Sequence, residues 1–255
     1  MGNCSSTTVP DTPECAPAPC VWQFDLGDGP QVWDWASGPP PTRQLAPIRG
    51  PRSTAASRHV PVRAHCVTRA GELRLESGLE HDLLREIDRM ASVTWIVAQP
   101  FRLVFGRVAR GAGPVSRRRA HVPDMLSVSQ DGTVTVWDVR PADRQDEHFL
   151  EAVDLTRRLC SERRWRHLVF EGHSAIRRSN LMWLHGFRSD EPWHALAGAR
   201  LDELVGRREF TMTDLAALPD SEYLISTAWH LVWQGLIEVD LELQLGSESV
   251  LRRAE

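Results

Sequence analysis

HVPDMLSV at residues 121–128 and TVTVWDVR at residues 133–140 are the two segments that indicate the fold most clearly. Apolar and polar residues alternate along the second segment, which is typical of a strand with one face buried. Asp131 and Gly132 stand between the segments, and Asp-Gly is a pair that tight hairpin turns favour. The sequence therefore predicts an antiparallel β-hairpin here.

Acidic side chains lie at corresponding ends of the two predicted strands. Asp124 opens the first strand, and Asp138 and Arg140 close the second. Residues two apart on a strand project to the same face, so Asp138 and Arg140 point the same way. Carboxylates can hold a divalent cation that activates water and neutralises charge on a phosphate, and a fixed cation beside them stabilises the same charge. Glu80, on a predicted upstream helix, supplies a third acid.

Composition places the chain among ordinary globular proteins and outside the membrane-spanning class. The 255 residues are 42% hydrophobic and 25% charged, with a net charge of −4. No apolar run reaches the roughly 18 residues of a membrane span. The chain contains no lysine, which suggests a GC-rich bacterial genome, and its cysteines have no metal-binding spacing. We expect free thiols, a bacterial cytoplasmic location and no membrane partner.

Three regions are predicted along the chain. Residues 1–60 are rich in Pro, Ser, Thr and Gly and are expected to form a flexible extension. Residues 61–190 alternate predicted strands and helices, so the class is α/β, with a mixed central sheet flanked by helices. The predicted elements are a hairpin at 62–68 and 71–77, a helix at 77–90, a strand at 95–105 interrupted at Pro100, the hairpin above, a helix at 146–163, a strand at 166–172 and a helix at 175–187.

Residues 191–255 are predicted to form a small winged-helix-like unit. Helices are expected at 211–218 and 221–235, followed by strands at 236–245 and 249–253, and helix, helix and hairpin is the winged-helix order. The second of these helices is apolar and poor in arginine. We therefore expect it to pack in a core or to contact protein rather than DNA.

The order of these motifs resembles the TnsA-like endonuclease subunit of heteromeric transposases, over roughly residues 72–190. The resemblance rests on ESGLEHDLL (76–84), QP (99–100), VPD (122–124), VTVWDVRP (134–141), a helix ending in Cys160, and SNLMWLHGFR (179–188). It implies the restriction-endonuclease-like fold of the PD-(D/E)xK superfamily. It also implies magnesium-dependent hydrolysis of DNA at transposon ends, with Mn²⁺ able to substitute. The implied partners are an integrase-type transposase subunit and an AAA+ ATPase regulator, with the protein on the nucleoid when it acts.

The resemblance also implies roles for individual residues. Glu80 takes the place of the helical acid, with Glu76 as a fallback, and Asp124 that of the central metal-binding acid. Asp138 and Arg140 take the places of the acid or amide and of the lysine in the E/Q-x-K motif. The implied metal ligands are Asp124, Asp138 and the backbone carbonyl of Val139.

DNA contacts are expected outside the catalytic group, from Gln99 and from the basic run Arg117, Arg118 and Arg119, because arginine clusters bind phosphates. Arg140 departs from the family lysine, since a guanidinium stabilises charge but does not readily release a proton. Two alternatives therefore stay open. One is a catalytically inactive scaffold of the same fold that binds DNA and protein, and the other is a stand-alone defence or repair nuclease.

Overall fold

The computed structural model describes residues 20–51, 60–106, 119–206 and 209–254, which form a mixed α/β structure. The strands are β1 (Val21–Asp25), β2 (Pro30–Val32), β3 (Val62–Cys66), β4 (Gly71–Leu75), β5 (Val93–Ala98), β6 (Phe101–Phe105), β7 (Arg119–His121), β8 (Met125–Ser129), β9 (Val134–Val139), β10 (Arg166–Phe170), β11 (Ile237–Glu238) and β12 (Arg252–Arg253). The α-helices are α1 (Gly78–Asp88), α2 (Glu147–Glu162), α3 (Ala175–Leu184), α4 (His194–Val205), α5 (Met212–Ala216) and α6 (Ser221–Trp233).

The central sheet has the strand order β10-β9-β8-β5. β8 pairs antiparallel with both β5 and β9, whereas β10 is parallel to β9. A parallel neighbour needs a crossover connection, and α2 provides it. The predicted β8–β9 hairpin is confirmed: Gly132 adopts φ +83°, and the Asp131 carboxylate accepts the Thr133 backbone N–H at 2.9 Å.

A second sheet, in the order β2-β1-β6-β7, packs on the central sheet. The predicted strand at 95–105 is divided between the two sheets at Gln99 and Pro100, because Gln99 takes φ +45° and turns the chain from β5 into β6. The interruption predicted at Pro100 is therefore confirmed.

The expectation that residues 1–60 form a flexible extension is wrong for residues 20–51. β1 pairs with β6, and Trp22 and Phe24 are buried in the core between the sheets. The Trp22 ring lies 4.8 Å from the Phe101 ring and 5.9 Å from the Trp165 ring, measured between centroids. Burying these rings offsets the entropy lost when a proline-rich segment is ordered. Residues 1–19 and 52–59 lie outside the described residues.

The predicted helix at 77–90 is α1. Ser77 caps it by accepting the Glu80 backbone N–H at 3.2 Å. Leu83, Leu84 and Ile87 form the buried face and pack on the β3–β4 hairpin, which matches the hairpin predicted at 62–68 and 71–77. The amphipathic period thus predicted both the helix and its buried side.

In the C-terminal unit both predicted helices are present, as α5 and α6. The strand predicted at 236–245 is wrong beyond β11, since the chain turns at Asp240, whose carboxylate accepts the Glu242 backbone N–H. Leu181 and Leu184 of α3 are buried in the same core as α6. The packing therefore continues across the boundary predicted at residue 190. In the described part of the chain, no helix combines the length and apolar character needed to cross a bilayer.

Replacing Trp22 with alanine should lower the free energy of unfolding by about 3–5 kcal/mol, since it removes a buried aromatic side chain. The matched control is Val32→Ala on β2, whose side chain is exposed. Chemical denaturation of both variants measures the difference. Equal small effects would contradict the packing of residues 20–51 onto the core.

Candidate metal centre

A cleft of about 1180 Å³ opens at one end of the β8–β9 hairpin. The N-terminal end of α1, β7, the end of β9 and the start of α2 surround it. The cleft combines two kinds of charged side chain. Its acidic residues include Glu76, Glu80, Asp124 and Asp138, and its arginines are Arg49, Arg102, Arg119, Arg140 and Arg144.

Asp124 is fixed by the backbone hydrogen bonds of the sheet. Its carbonyl accepts the Gln99 N–H at 2.9 Å, and its own N–H donates to the Trp137 carbonyl at 2.9 Å. Its carboxylate accepts the Val139 backbone N–H at 2.7 Å. The backbone on both sides thus determines where this carboxylate lies. The metal-ligand role of the Val139 carbonyl stays a prediction.

Glu80 is placed by the first turn of α1. Its carboxylate accepts the Glu76 backbone N–H at 2.8 Å and the Ser77 hydroxyl at 2.9 Å. The N-terminal end of a helix carries partial positive charge, which favours a carboxylate there. Glu80 nevertheless is buried, so its negative charge is poorly solvated.

Carboxylate oxygens of Glu76, Glu80 and Asp124 lie within 4.8 Å of one another. Burial raises the pKa of Glu80 to about 7 despite its hydrogen bonds. Burial, followed by repulsion from Glu80 and Asp138, raises the pKa of Asp124 well above its usual range. Closely spaced carboxylate oxygens are the donors preferred by Mg²⁺, Mn²⁺ and Ca²⁺. The three acids therefore fit a hard divalent cation, which would relieve their mutual repulsion.

Asp138 is engaged differently from these three acids. It is 1% exposed, and its Oδ2 lies 2.8 Å from His167 Nε2 and 3.1 Å from His121 Nε2. Burial alone raises the pKa of Asp138, but hydrogen bonds and charge from the two histidines outweigh burial and hold the pKa at about 2. Asp138 lines the cleft, and its predicted role as a metal ligand stays a prediction.

Arg140 lines the cleft but is turned towards α2. Its guanidinium lies 4.4 Å from the Phe149 ring centroid and 3.6 Å from the Asp146 carboxylate. Among the described residues, Arg49 lies beside the three acids and forms an ion pair with Glu76. Its Nη2 also donates to Glu76 Oε2 at 3.1 Å.

The predicted DNA contacts have different outcomes. The contact predicted for Gln99 is wrong, because this residue is 1% exposed and lies at the turn between the two sheets. Arg119 lines the cleft and pairs with Glu151 at 2.6 Å. Arg117 and Arg118 lie outside the described residues.

Sequence reasoning did not identify Arg49 or His167 as site residues. Arg49 stands in a proline-rich segment that no strand or helix period singles out. His167 sits in the strand RHLVF, and only the parallel pairing of β10 with β9 brings it to Asp138. The order of strand, helix and strand over β9, α2 and β10 was the available signal, because a helix between two strands usually connects parallel neighbours.

Comparison with known protein families found no family that matches the chain. Comparison with curated protein sequences likewise found no match. The site is therefore interpreted from its own geometry.

The pH dependence of stability should reveal the buried charge of Glu80. Its pKa is raised in the folded protein, from 4.5 to about 7. The protonated form therefore stabilises the fold fully below pH 4.5, and this contribution is lost as the pH rises to about 7. At 1.36 kcal/mol per pKa unit the loss amounts to at most about 3 kcal/mol.

Glu80→Gln should remove most of this loss, because glutamine cannot ionise. Wild type and variant are denatured at several pH values between 4.5 and 8, without divalent cations. The quantity compared is the slope of the free energy of unfolding against pH, rather than its absolute value. Glu203→Gln, an exposed acid on α4, is the control. Parallel pH profiles for wild type and Glu80→Gln would show that ionisation of Glu80 does not destabilise the folded protein.

Proposed function

We propose that this protein is a metal-dependent DNA endonuclease, acting as the nuclease subunit of a heteromeric transposase that cuts at transposon ends. The observation that carries the proposal is the meeting of the Glu76, Glu80 and Asp124 carboxylates in an arginine-lined cleft. Acids bind the cation, and arginines bind phosphates. This combination suits hydrolysis of a phosphodiester.

The order of the elements supports a restriction-endonuclease-like core. An acid-bearing helix, α1, precedes three antiparallel strands, β5, β8 and β9, and α2 then leads to the parallel strand β10. Asp124 stands just before the middle strand, and Asp138 lies near the end of β9. A mixed sheet with this order of elements supports the core that the resemblance to TnsA-like endonucleases implies.

The residues divide the chemistry among them. Glu80 and Asp124 hold the cation, with Glu76 beside them and bound to Arg49. When bound, Mg²⁺ or Mn²⁺ lowers the pKa of water and neutralises charge on the scissile phosphate. Arg140 is 38% exposed at its side chain. It can therefore leave Asp146 and turn to the phosphate, where its guanidinium stabilises the added charge.

The C-terminal unit supports a role in assembly. Short α5, apolar α6 and the β11–β12 pair follow the helix, helix, hairpin order of a winged helix. The buried face of α6, including Trp229 and Trp233, fills its own core, and the helix carries no arginine to contact phosphates. We propose that the unit's remaining surface contacts the integrase-type transposase or the AAA+ regulator.

Asp124→Asn should reduce cleavage of transposon-end duplex by at least about 10³-fold, because it removes a charged ligand while keeping the side-chain shape. Cleavage is measured with Mg²⁺ and the transposase partners present. Asp143→Asn, an exposed acid near the cleft, is the matched control. Undiminished cleavage by Asp124→Asn would overturn the assignment.

Metal binding can be tested without partners. Crystals soaked in Mn²⁺ should show anomalous density between Glu80 and Asp124 in wild type, and none in Asp124→Asn. Wild-type density combined with absent cleavage would point to the scaffold alternative. Absence of density in both proteins would count against a metal enzyme.

Arg140→Ala should slow single-turnover cleavage by about 10²-fold with little change in DNA affinity, because it removes a donor that acts on developing charge. Arg140→Lys should keep or raise the rate. The control is Arg144→Ala, an exposed arginine of the same cleft. Equal rates for wild type and Arg140→Ala would show that Arg140 serves only its contacts with Phe149 and Asp146.

A further inference from the structure

A second group of metal-ligand side chains lies in the C-terminal unit, away from the cleft. Asp190 precedes α4, His194 opens α4, and His230 lies on α6. One donor atom from each residue lies within 4.8 Å of the other two. The imidazoles are stacked, with centroids 4.1 Å apart and planes at 26°.

The tautomer of His230 is determined by a backbone contact. Its Nδ1 lies 2.7 Å from the Phe187 carbonyl oxygen, which can only accept, so Nδ1 carries the proton. Its Nε2 then presents a lone pair, at 3.8 Å from Asp190 Oδ1. Metal-binding histidines are usually held in this way, by a carbonyl on the other ring nitrogen.

His194 places its Nδ1 beside the same carboxylate oxygen. Its Nδ1 accepts the Glu191 backbone N–H at 3.1 Å, so this nitrogen carries no proton of its own. The same Nδ1 lies 3.1 Å from Asp190 Oδ1. The single lone pair of Nδ1 thus meets the Glu191 N–H while a second acceptor, Asp190 Oδ1, lies beside it, so a cation bound at Nδ1 would replace that N–H. These two acceptors repel each other unless a proton or a cation lies between them.

The surroundings disfavour the protonated, charged form of both histidines. Both histidines are buried, at 6% and 3% side-chain exposure, and two stacked imidazolium rings would repel each other. The Asp190 side chain is 81% exposed, so it can adjust and leave one coordination position open to water. Tetrahedral zinc, at about 2.0–2.1 Å from each nitrogen, separates its ligand atoms by roughly 3.3 Å. The distances of 3.1 and 3.8 Å lie on either side of that value.

We propose that Asp190, His194 and His230 form a zinc-type site of two histidines and one carboxylate, distinct from the acidic cleft. The ion joins the segment before α4 to α6. It therefore stabilises the C-terminal unit and takes no part in cleavage. Nitrogen ligands select a borderline transition metal such as Zn²⁺ or Co²⁺ over Mg²⁺.

The test is titration of the full chain with Co²⁺ in a large excess of Mg²⁺, which occupies the carboxylate cleft. Wild type is expected to bind one equivalent with the d–d absorption of tetrahedral Co²⁺, and Zn²⁺ is expected to displace it. Asp190→Asn should weaken this binding at least about tenfold. Because Asp190 is exposed, this variant leaves the core intact.

Glu191→Gln is the matched control, because it changes a neighbouring exposed acid and keeps the backbone N–H that meets His194. Binding like wild type in this control, together with loss in Asp190→Asn, supports the site. Absence of tetrahedral Co²⁺ in wild type, or equal affinity in wild type and Asp190→Asn, overturns it. Neither outcome depends on DNA cleavage.

Discussion

The burial of like charges in the cleft is the constraint on which the rest of the site depends. Asp124 cannot move away from Glu80, because the backbone bonds to Gln99 and Trp137 hold it in the sheet and Val139 holds its carboxylate. Glu80 is equally constrained by the first turn of α1. A buried acid and a half-buried acid that cannot separate either retain a proton or bind a cation. The fold therefore forms a site at this position that favours the binding of a positive charge.

The segment at residues 20–51 links the core to this site. β1 completes the second sheet, and Ile48 donates its N–H to the Gln99 carbonyl at 2.8 Å. That bond holds the chain beside the turn between the sheets, and the next residue, Arg49, reaches Glu76. Packing of aromatic rings in one part of the segment therefore positions a charge in another.

The two histidine-containing groups show opposite uses of an imidazole. His121 and His167 lie within hydrogen-bond distance of the Asp138 carboxylate and stabilise its charged form. In the second group a backbone carbonyl sets the tautomer of His230, so that its Nε2 lone pair faces Asp190, and the His194 Nδ1 accepts a backbone N–H. The same residue types thus stabilise the charge of an acid in one group and are proposed metal ligands beside an acid in the other.

Sequence patterns alone predicted the local elements: the β8–β9 hairpin with its Asp131-Gly132 turn, the capped helix α1, and Asp124 and Glu80 as acids at element ends. These follow from periodicity and capping, which act over a few residues. Tertiary packing alone accounts for the burial of Trp22 and Gln99, for the place of Arg49 in the cleft and for the contact of His167 with Asp138. The strand predicted beyond β11 is wrong, because the chain turns at Asp240 although apolar and polar residues alternate there. Contacts between residues far apart in the chain depend on which surfaces pack together, and no local pattern records that choice.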